Sequence, residues 1–169
     1  MKIAFISTRG IPNHYGGFEQ FAESVSVRLV QRGHDVTVYS PHYHPYKETA
    51  YKGVKVKHVY SPEVWMGSSV GSFFYDYQCL KDALKREDFD IIYDAGYTSV
   101  VPAYMRFNVR KSRRPVIITN MGGLEQTAGQ YKAAFTRENL EKVRTLYSWD
   151  KIVDDYEAFF VEVMKENNR

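Results

Sequence analysis

A single cysteine, Cys79, leaves no partner for an internal disulfide and no basis for an all-cysteine zinc site. Long apolar runs are missing too. The longest, such as residues 3–6, are strand-sized, far short of the ~20 residues a bilayer span needs. No apolar signal core follows Met1, because a strand pattern begins at once, and a reducing, cytoplasmic setting is expected. Charge of one sign is scarce: the formal net charge is +3, too small to argue for a nucleic-acid partner. Two phosphate-binding signatures are absent as well. Gly10, Gly16 and Gly17 do not fit G-x-G-x-x-G, and no Gly-Lys-Ser/Thr follows them, so neither a dinucleotide fingerprint nor a Walker A loop is present. No cofactor is expected.

What is present is a globular composition, 44% hydrophobic and 25% charged over 169 residues, enough for one domain with a real core. Residues 2–7 read as a buried parallel strand. A turn-rich stretch over 8–17 follows, and from Phe18 an apolar stripe (Phe21, Ala22, Val25, Leu29) marks a helix ending near Gly33. Residues 36–39 form the next strand, which completes a βαβ unit with a right-handed crossover. An aromatic, histidine-bearing loop is expected over 41–51, and a half-exposed strand carries Val54, Val56 and His58. Residues 65–72 read as a loop. A helix over 73–85 is expected to bury Phe73, Tyr77, Leu80 and Leu84. A strand over 89–93, a short helix over 98–107 and a strand over 115–119 come next. Residues 138–169 read as two helices, the second capped by Ser148, with Ile152, Val153, Tyr156, Phe159, Phe160 and Val163 on one face. The expected fold class is therefore α/β: a Rossmann-like, three-layer α/β/α arrangement on a mostly parallel sheet, with C-terminal helices packed back on it.

In an open parallel sheet, ligands bind beyond the carboxyl ends of the strands. The loops that leave such ends are residues 8–17, 94–97 and 120–123. Gly16-Gly17 stands just before a helix, where backbone N–H groups can face an anion and absent side chains allow close approach. Glu19 falls in the first helical turn, where the helix dipole alone would favour it. Asp94 is placed to orient a hydroxyl or simply to form the turn. His34, His42 and His44 lack an assured third ligand and are read as structural or surface residues, so no metal is expected. Arg106, Arg110, Lys111, Arg113 and Arg114 form a basic cluster suited to phosphates or an anionic membrane surface, or else to plain solvation. Trp65, beside Met66 and Gly67, is the aromatic expected to be exposed, on an acceptor-facing or membrane-facing surface.

The string STRGIPNHYGGFE over 7–19 resembles the N-terminal loop of GT4-type glycosyltransferases of the GT-B fold, above all bacterial polysaccharide rhamnosyltransferases. TNMGGLE over 119–125 is similar to a second motif of that group, Asn-x-Asp-Gly-Leu-Glu, with Gly122 where the acidic residue usually stands. LYSWDKIVDDYE over 146–157 resembles the extreme C-terminus of those enzymes, where the last helix crosses back onto the first domain.

That resemblance implies a retaining transfer of a sugar from a nucleotide sugar to a glycan acceptor. The acceptor is expected to be lipid-linked, at the cytoplasmic membrane face. Carried over by position, Gly16, Gly17 and Glu19 match the donor-phosphate loop, with Arg9 and His14 in the same loop. Asn120 and Gly123 match the second motif, and with Asp94 and Tyr97 they are the acceptor-site candidates. The family's donor-holding glutamates are separated by seven residues, and no two glutamates here are eight positions apart. Residues 1–125 are thus expected to be the acceptor-side domain. Residues 126–169 are expected to hold a junction and crossover helices of the same compact unit, with the donor-binding domain missing and transfer impossible for this chain alone. Two other classes stay open: a free-standing mononucleotide-binding module, and a non-catalytic interaction domain.

Overall fold

The computed structural model describes residues 1–86, 88–96, 115–119 and 148–167. The chain divides into two compact units, Met1–Asn120 and Met121–Arg169. In the first unit β1 (Lys2–Ile6) leads through a loop to α1 (Gly17–Gln31) and β2 (Asp35–Pro41). A two-residue strand β3 (Ala50–Tyr51) and β4 (Val54–Val59) follow. Then come α2 (Glu63–Met66), α3 (Ser68–Arg86), β5 (Ile91–Asp94) and β6 (Val116–Thr119). The sheet order is β3-β4-β2-β1-β5-β6, with every pairing parallel except that of β3 with β4. This is an α/β, Rossmann-like fold, as expected from the strand and helix periodicities.

The crossover β1-α1-β2 runs one way along the sheet and β4-α3-β5 runs the other. Right-handed crossovers in opposite directions put their helices on opposite faces. Side-chain alternation along β1 shows the same layering. Ala4 and Ile6 join Tyr75, Cys79, Leu80 and Ala83 of α3 in one buried cluster. Phe5 meets Tyr93 at 5.2 Å between ring centroids, and Tyr93 meets Phe21 of α1 at 5.7 Å.

Several boundaries differ from those the sequence suggests. Residues 41–51 are not all loop. Lys52 (φ 46°) and Gly53 (φ 85°) turn the chain tightly between β3 and β4, and positive φ at both central residues is what the commonest two-residue hairpin turn requires. Residues 65–72 are helical rather than loop, apart from Gly67, which separates α2 from α3. Here α2 lies flush on α3 because a Cβ at Gly71 would fall 2.7 Å from the Glu63 backbone nitrogen. The buried face of α3 is shifted from the expected one: Leu80 is buried and Leu84 packs against the core as expected, but Phe73 is exposed, and Tyr75, Asp76, Cys79 and Ala83 are buried. Small Cys79 and Ala83 let the helix approach the sheet closely. The strand expected over 89–93 starts later, at Ile91, since Phe89 packs into the α3 cluster.

In the second unit α4 (Trp149–Asn167) begins at Ser148, whose Oγ accepts the Lys151 N–H at 3.2 Å. That is the N-cap the sequence suggests. Val153 and Phe160 are buried, whereas Phe159, expected on the apolar face, is exposed. The expected helices over 98–107 and 138–147 and the stretch over 126–134 lie outside the described residues.

Candidate functional site

Strand order reverses direction at β1 and β5: β2 and β4 lie to one side of β1, β5 and β6 to the other. Loops leaving the two strands there diverge to opposite faces and open a crevice between them. A cavity of about 270 Å³ occupies that position, lined by Ser7, Thr8 and Arg9 after β1, by Gly16, Gly17 and Glu19 at the start of α1, and by Ala95 and Gly96 after β5. Glu63, Ser72, Tyr75 and Asp76 close it from the side of α2 and α3.

The loop after β1 is pinned from below. Thr8 Oγ1 donates to the Tyr39 carbonyl at 3.0 Å and accepts the Gly10 N–H at 3.1 Å. Gly10, at φ 93°, sits against Ser40 and His44 with no room for a side chain. Glu19 is buried and accepts the Arg9 N–H at 2.9 Å, while Glu23 accepts the Asn13 N–H at 2.7 Å and the Tyr51 hydroxyl at 2.9 Å. Two carboxylates of α1 therefore hold the loop in place. Glu19 touches the cavity but spends one oxygen on this bond.

At the first turn of α1, Gly16 caps the helix with no side-chain hydrogen bond. The helix start faces the cavity with the positive end of its dipole. Neither Gly16 nor Gly17 has the positive φ that would call for glycine, and a Cβ on Gly17 would meet nothing within 4 Å. Folding does not require these two glycines. What their absent side chains leave is open space at a helix N-terminus, the arrangement that admits an anion close to backbone N–H groups.

Arg9 forms the opposite wall. Its guanidinium pairs with Glu63, donates to the Tyr43 hydroxyl at 2.9 Å and to Ser72 Oγ at 3.4 Å, and lies 5.2 Å from the Tyr15 ring centre. Glu63 also accepts from Tyr43 at 2.5 Å and from Ser72 at 2.6 Å. Desolvation opposes the charge on Arg9, but Glu63 and Tyr43 outweigh it and raise its pKa. Burial, reinforced by the bond to Glu63, pushes the Tyr43 hydroxyl up as well. Glu63→Ala would leave three donors without their shared acceptor. It is expected to cost about 1–3 kcal/mol, toward the lower end because Arg9 retains some solvent, as measured by urea unfolding.

Asp94 ends β5 and is fully buried behind the wall that Ser7 and Gly96 make. A Cβ on Gly96 would fall 2.6 Å from Ser7 Cβ, so the two loops touch there. Asp94 Oδ1 accepts the Gly96 N–H at 3.2 Å, the turn-forming role; no donor among the described residues reaches Oδ2. Burial raises its pKa from 3.8 to about 6, against the opposing effects of the Ser7 hydroxyl and the Gly96 amide.

Of the residues singled out in the sequence, Arg9, Gly16, Gly17 and Glu19 come together in the cavity wall, and Asp94 lies just behind it. His14 does not join them: it is exposed and packs edge-on against His44 at 4.3 Å. His44 is buried, with its pKa lowered by burial, and its Nδ1 accepts the Tyr46 N–H at 3.1 Å. His42 stacks on Tyr60 at 4.8 Å and accepts the Ser61 N–H at 3.0 Å. Tyr97, Asn120, Gly123 and the basic residues Arg106, Arg110, Lys111, Arg113 and Arg114 lie outside the described residues. Sequence reasoning missed Glu63, Ser72 and Asp76, and reached Tyr43 and Tyr75 only as members of a tyrosine-rich set able to stack on sugars but read mostly as core. Asp76 left a signal as a carboxylate in helical register with Cys79, Leu80 and Ala83.

A family model described as Glycosyltransferase Family 4 matches residues 15–153, which takes in Gly16, Gly17, Glu19, Glu63 and Asp94 and leaves Arg9 and His14 before it. No curated protein matches the chain.

Proposed function

Because the chain belongs to glycosyltransferase family 4, we propose that it is the acceptor-side domain of a retaining glycosyltransferase. On this reading the enzyme moves a sugar, rhamnose by the resemblance of the glycine loop, from a nucleotide sugar to a lipid-linked glycan in bacterial polysaccharide synthesis. The reaction would take place at the cytoplasmic face of the membrane. With no two glutamates eight positions apart in the chain, donor binding falls to a second domain, and the chain alone is not expected to transfer sugar.

The observation that carries the reading is Gly17. It lies in the crevice at the switch point, with empty space where its side chain would be and no backbone reason to be glycine. A residue that folding leaves unconstrained, at a helix start in a cleft, fits close approach of a ligand's phosphate or hydroxyls. The polar wall opposite, built on Arg9, Tyr43, Glu63 and Ser72, supplies donors and acceptors for a hydroxyl-rich molecule.

Ligand-observed NMR with nucleotides, nucleotide sugars and short glycans tests this. The chain alone is expected to bind glycans and not nucleotides. Gly17→Val is expected to leave the melting temperature within a degree or two, since a Cβ there meets nothing within 4 Å, and to weaken glycan binding by about tenfold or more. Tight nucleotide binding by the chain alone would replace this reading with a free-standing mononucleotide-binding module.

A further inference from the structure

Between Val64 and Phe74, on α2 and the first turns of α3, six large apolar side chains are exposed. Trp65 is 84% exposed, Val64 70%, Met66 55%, Val70 54%, and Phe73 and Phe74 46% each. Exposed apolar side chains are ordinary when scattered, but a cluster of six on two abutting helices marks a surface that something covers. It is a built feature rather than a loose one. Gly71 lets α2 lie directly on α3. Glu63, at the start of α2, is held by Arg9, Tyr43 and Ser72. The same short helix thus gives Glu63 to the cavity and presents Val64, Trp65 and Met66 outward.

Charge around the patch selects the occupant. Between Glu63 and Asp82 the sequence holds one carboxylate, Asp76, and it is buried. Asp82 is bound by Lys57 at 2.6 Å and by the Tyr39 hydroxyl at 3.0 Å. Continuing along α3 from Phe74, Lys81 and Lys85 follow at helical spacing on an exposed groove shared with Tyr77, and Lys81 Nζ sits 5.6 Å from the Tyr77 ring centre. Aromatic and apolar groups foremost, with lysines set back on the same face, is the pattern of a segment that lies in a bilayer interface and meets anionic headgroups. Against a second copy of the chain, the lysines of both copies would be brought together across one interface and repel.

We propose that the α2–α3 surface seats on an anionic lipid bilayer, with Trp65, Met66 and Phe74 entering the interface and Lys81 and Lys85 meeting the headgroups. Seated in this way, the protein holds the Glu63 side of its cleft at the lipid surface, where a lipid-borne acceptor would present its sugar. Only that last link rests on the glycosyltransferase reading; the lipid contact stands without it.

The test is flotation of the chain with phosphatidylcholine vesicles, with and without phosphatidylglycerol. Binding is expected only with phosphatidylglycerol, weakening as salt is raised, with a blue shift of tryptophan fluorescence that Trp65→Phe removes. Lys81→Gln and Lys85→Gln are each expected to lower partitioning about fivefold. The double variant Trp65→Ser, Phe74→Ser is expected to lower it by about tenfold or more, with an unchanged circular dichroism spectrum. Failure of the folded chain to float with phosphatidylglycerol would overturn the proposal, as would equal flotation of the double variant. So would a monomer–dimer equilibrium in sedimentation that the double variant abolishes, which would assign the surface to self-contact. Glycan binding measured in lipid-free buffer should be untouched by the double variant, and its absence from the parent chain would count against the cleft reading, not this one.

Discussion

Asp94→Asn is expected to make the protein more stable at neutral pH. The carboxyl is fully buried, one of its oxygens has no donor among the described residues, and burial raises its pKa from 3.8 to about 6. The protonated form is thus the one the fold accommodates. A carboxyl raised in this way contributes stability that is complete below about pH 3.8 and is lost as pH climbs through about 6. At pH 7 the folded protein bears the cost of the buried charge, which the raised pKa places at roughly 3 kcal/mol as an upper bound. Asparagine keeps an oxygen for the Gly96 amide and carries no charge at any pH. Urea unfolding should show the variant stabilised by about 1–3 kcal/mol at pH 7. Between pH 4 and 6 the parent should lose stability relative to the variant as pH rises. Parallel curves for the two proteins would show that Asp94 is ionised without penalty. A carboxylate that weakens the fold, kept just behind the wall of a cleft, is the kind of group retained for what it does there.

Gly10→Ala is the second large effect, in the opposite direction. At φ 93° the residue occupies backbone space that L side chains rarely adopt, and a Cβ would sit 2.8 Å from both Ser40 Cβ and His44 Cδ2, closer still to Ser40 Oγ. Ser40 and His44 are both fully buried, so neither can swing into solvent. The strained backbone and the overpacked contact each cost about 1–3 kcal/mol, together a sizeable part of the 5–15 kcal/mol that stabilises an ordinary domain. The melting temperature should fall on the order of 10 °C. A fall of a degree or two would show that the loop after β1 relocates freely, and the cleft built on it could not then be preformed. Set beside Gly17→Val, whose Cβ enters open space, the comparison separates a glycine the fold demands from one that leaves space for a ligand.

The parts legible in the sequence were those governed by local periodicity. The stripe Phe21, Ala22, Val25 and Leu29 gave α1. The short apolar runs gave β1, β2 and β6 within a residue or two, and Ser148 gave the cap of α4. Parallel pairing and the loops at strand ends followed from alternating strands and helices, which is how Gly16, Gly17 and Asp94 were reached. Elements that depend on distant partners were not legible. At four residues, α2 is too short for a periodic signal and has no capping side chain; it forms because Gly71 lets it rest on α3 and because Arg9, fifty-four positions earlier, holds Glu63. The buried face of α3 was read only in part, at Leu80 and Leu84, for a related reason. Large aromatics dominate a periodicity reading, while the sheet selects small Cys79 and Ala83 for close approach and leaves Phe73 and Phe74 outside. Arg9 was visible as a cation in the right loop, but its partners on β2's exit loop, α2 and α3 could be found only in three dimensions.

Strand β3 is only two residues long, and its turn carries Lys52, with Lys47 and Lys55 close by in sequence. It pairs with the start of β4, Ala50 against Lys55 and Tyr51 against Val54, and Thr49 just before it accepts the Val56 N–H; β4 is a six-residue strand with valines at positions 54, 56 and 59. Left bare, β4 would offer a row of unpaired amides and carbonyls beside apolar side chains, a ready template for another molecule's strand. With β3 in place, the outermost strand on that side offers too few backbone groups to recruit a partner, and the lysines repel an identical edge. The small hairpin thus works as a guard against edge-to-edge aggregation, and deleting it should turn a dispersed protein into one that forms β-rich aggregates at high concentration.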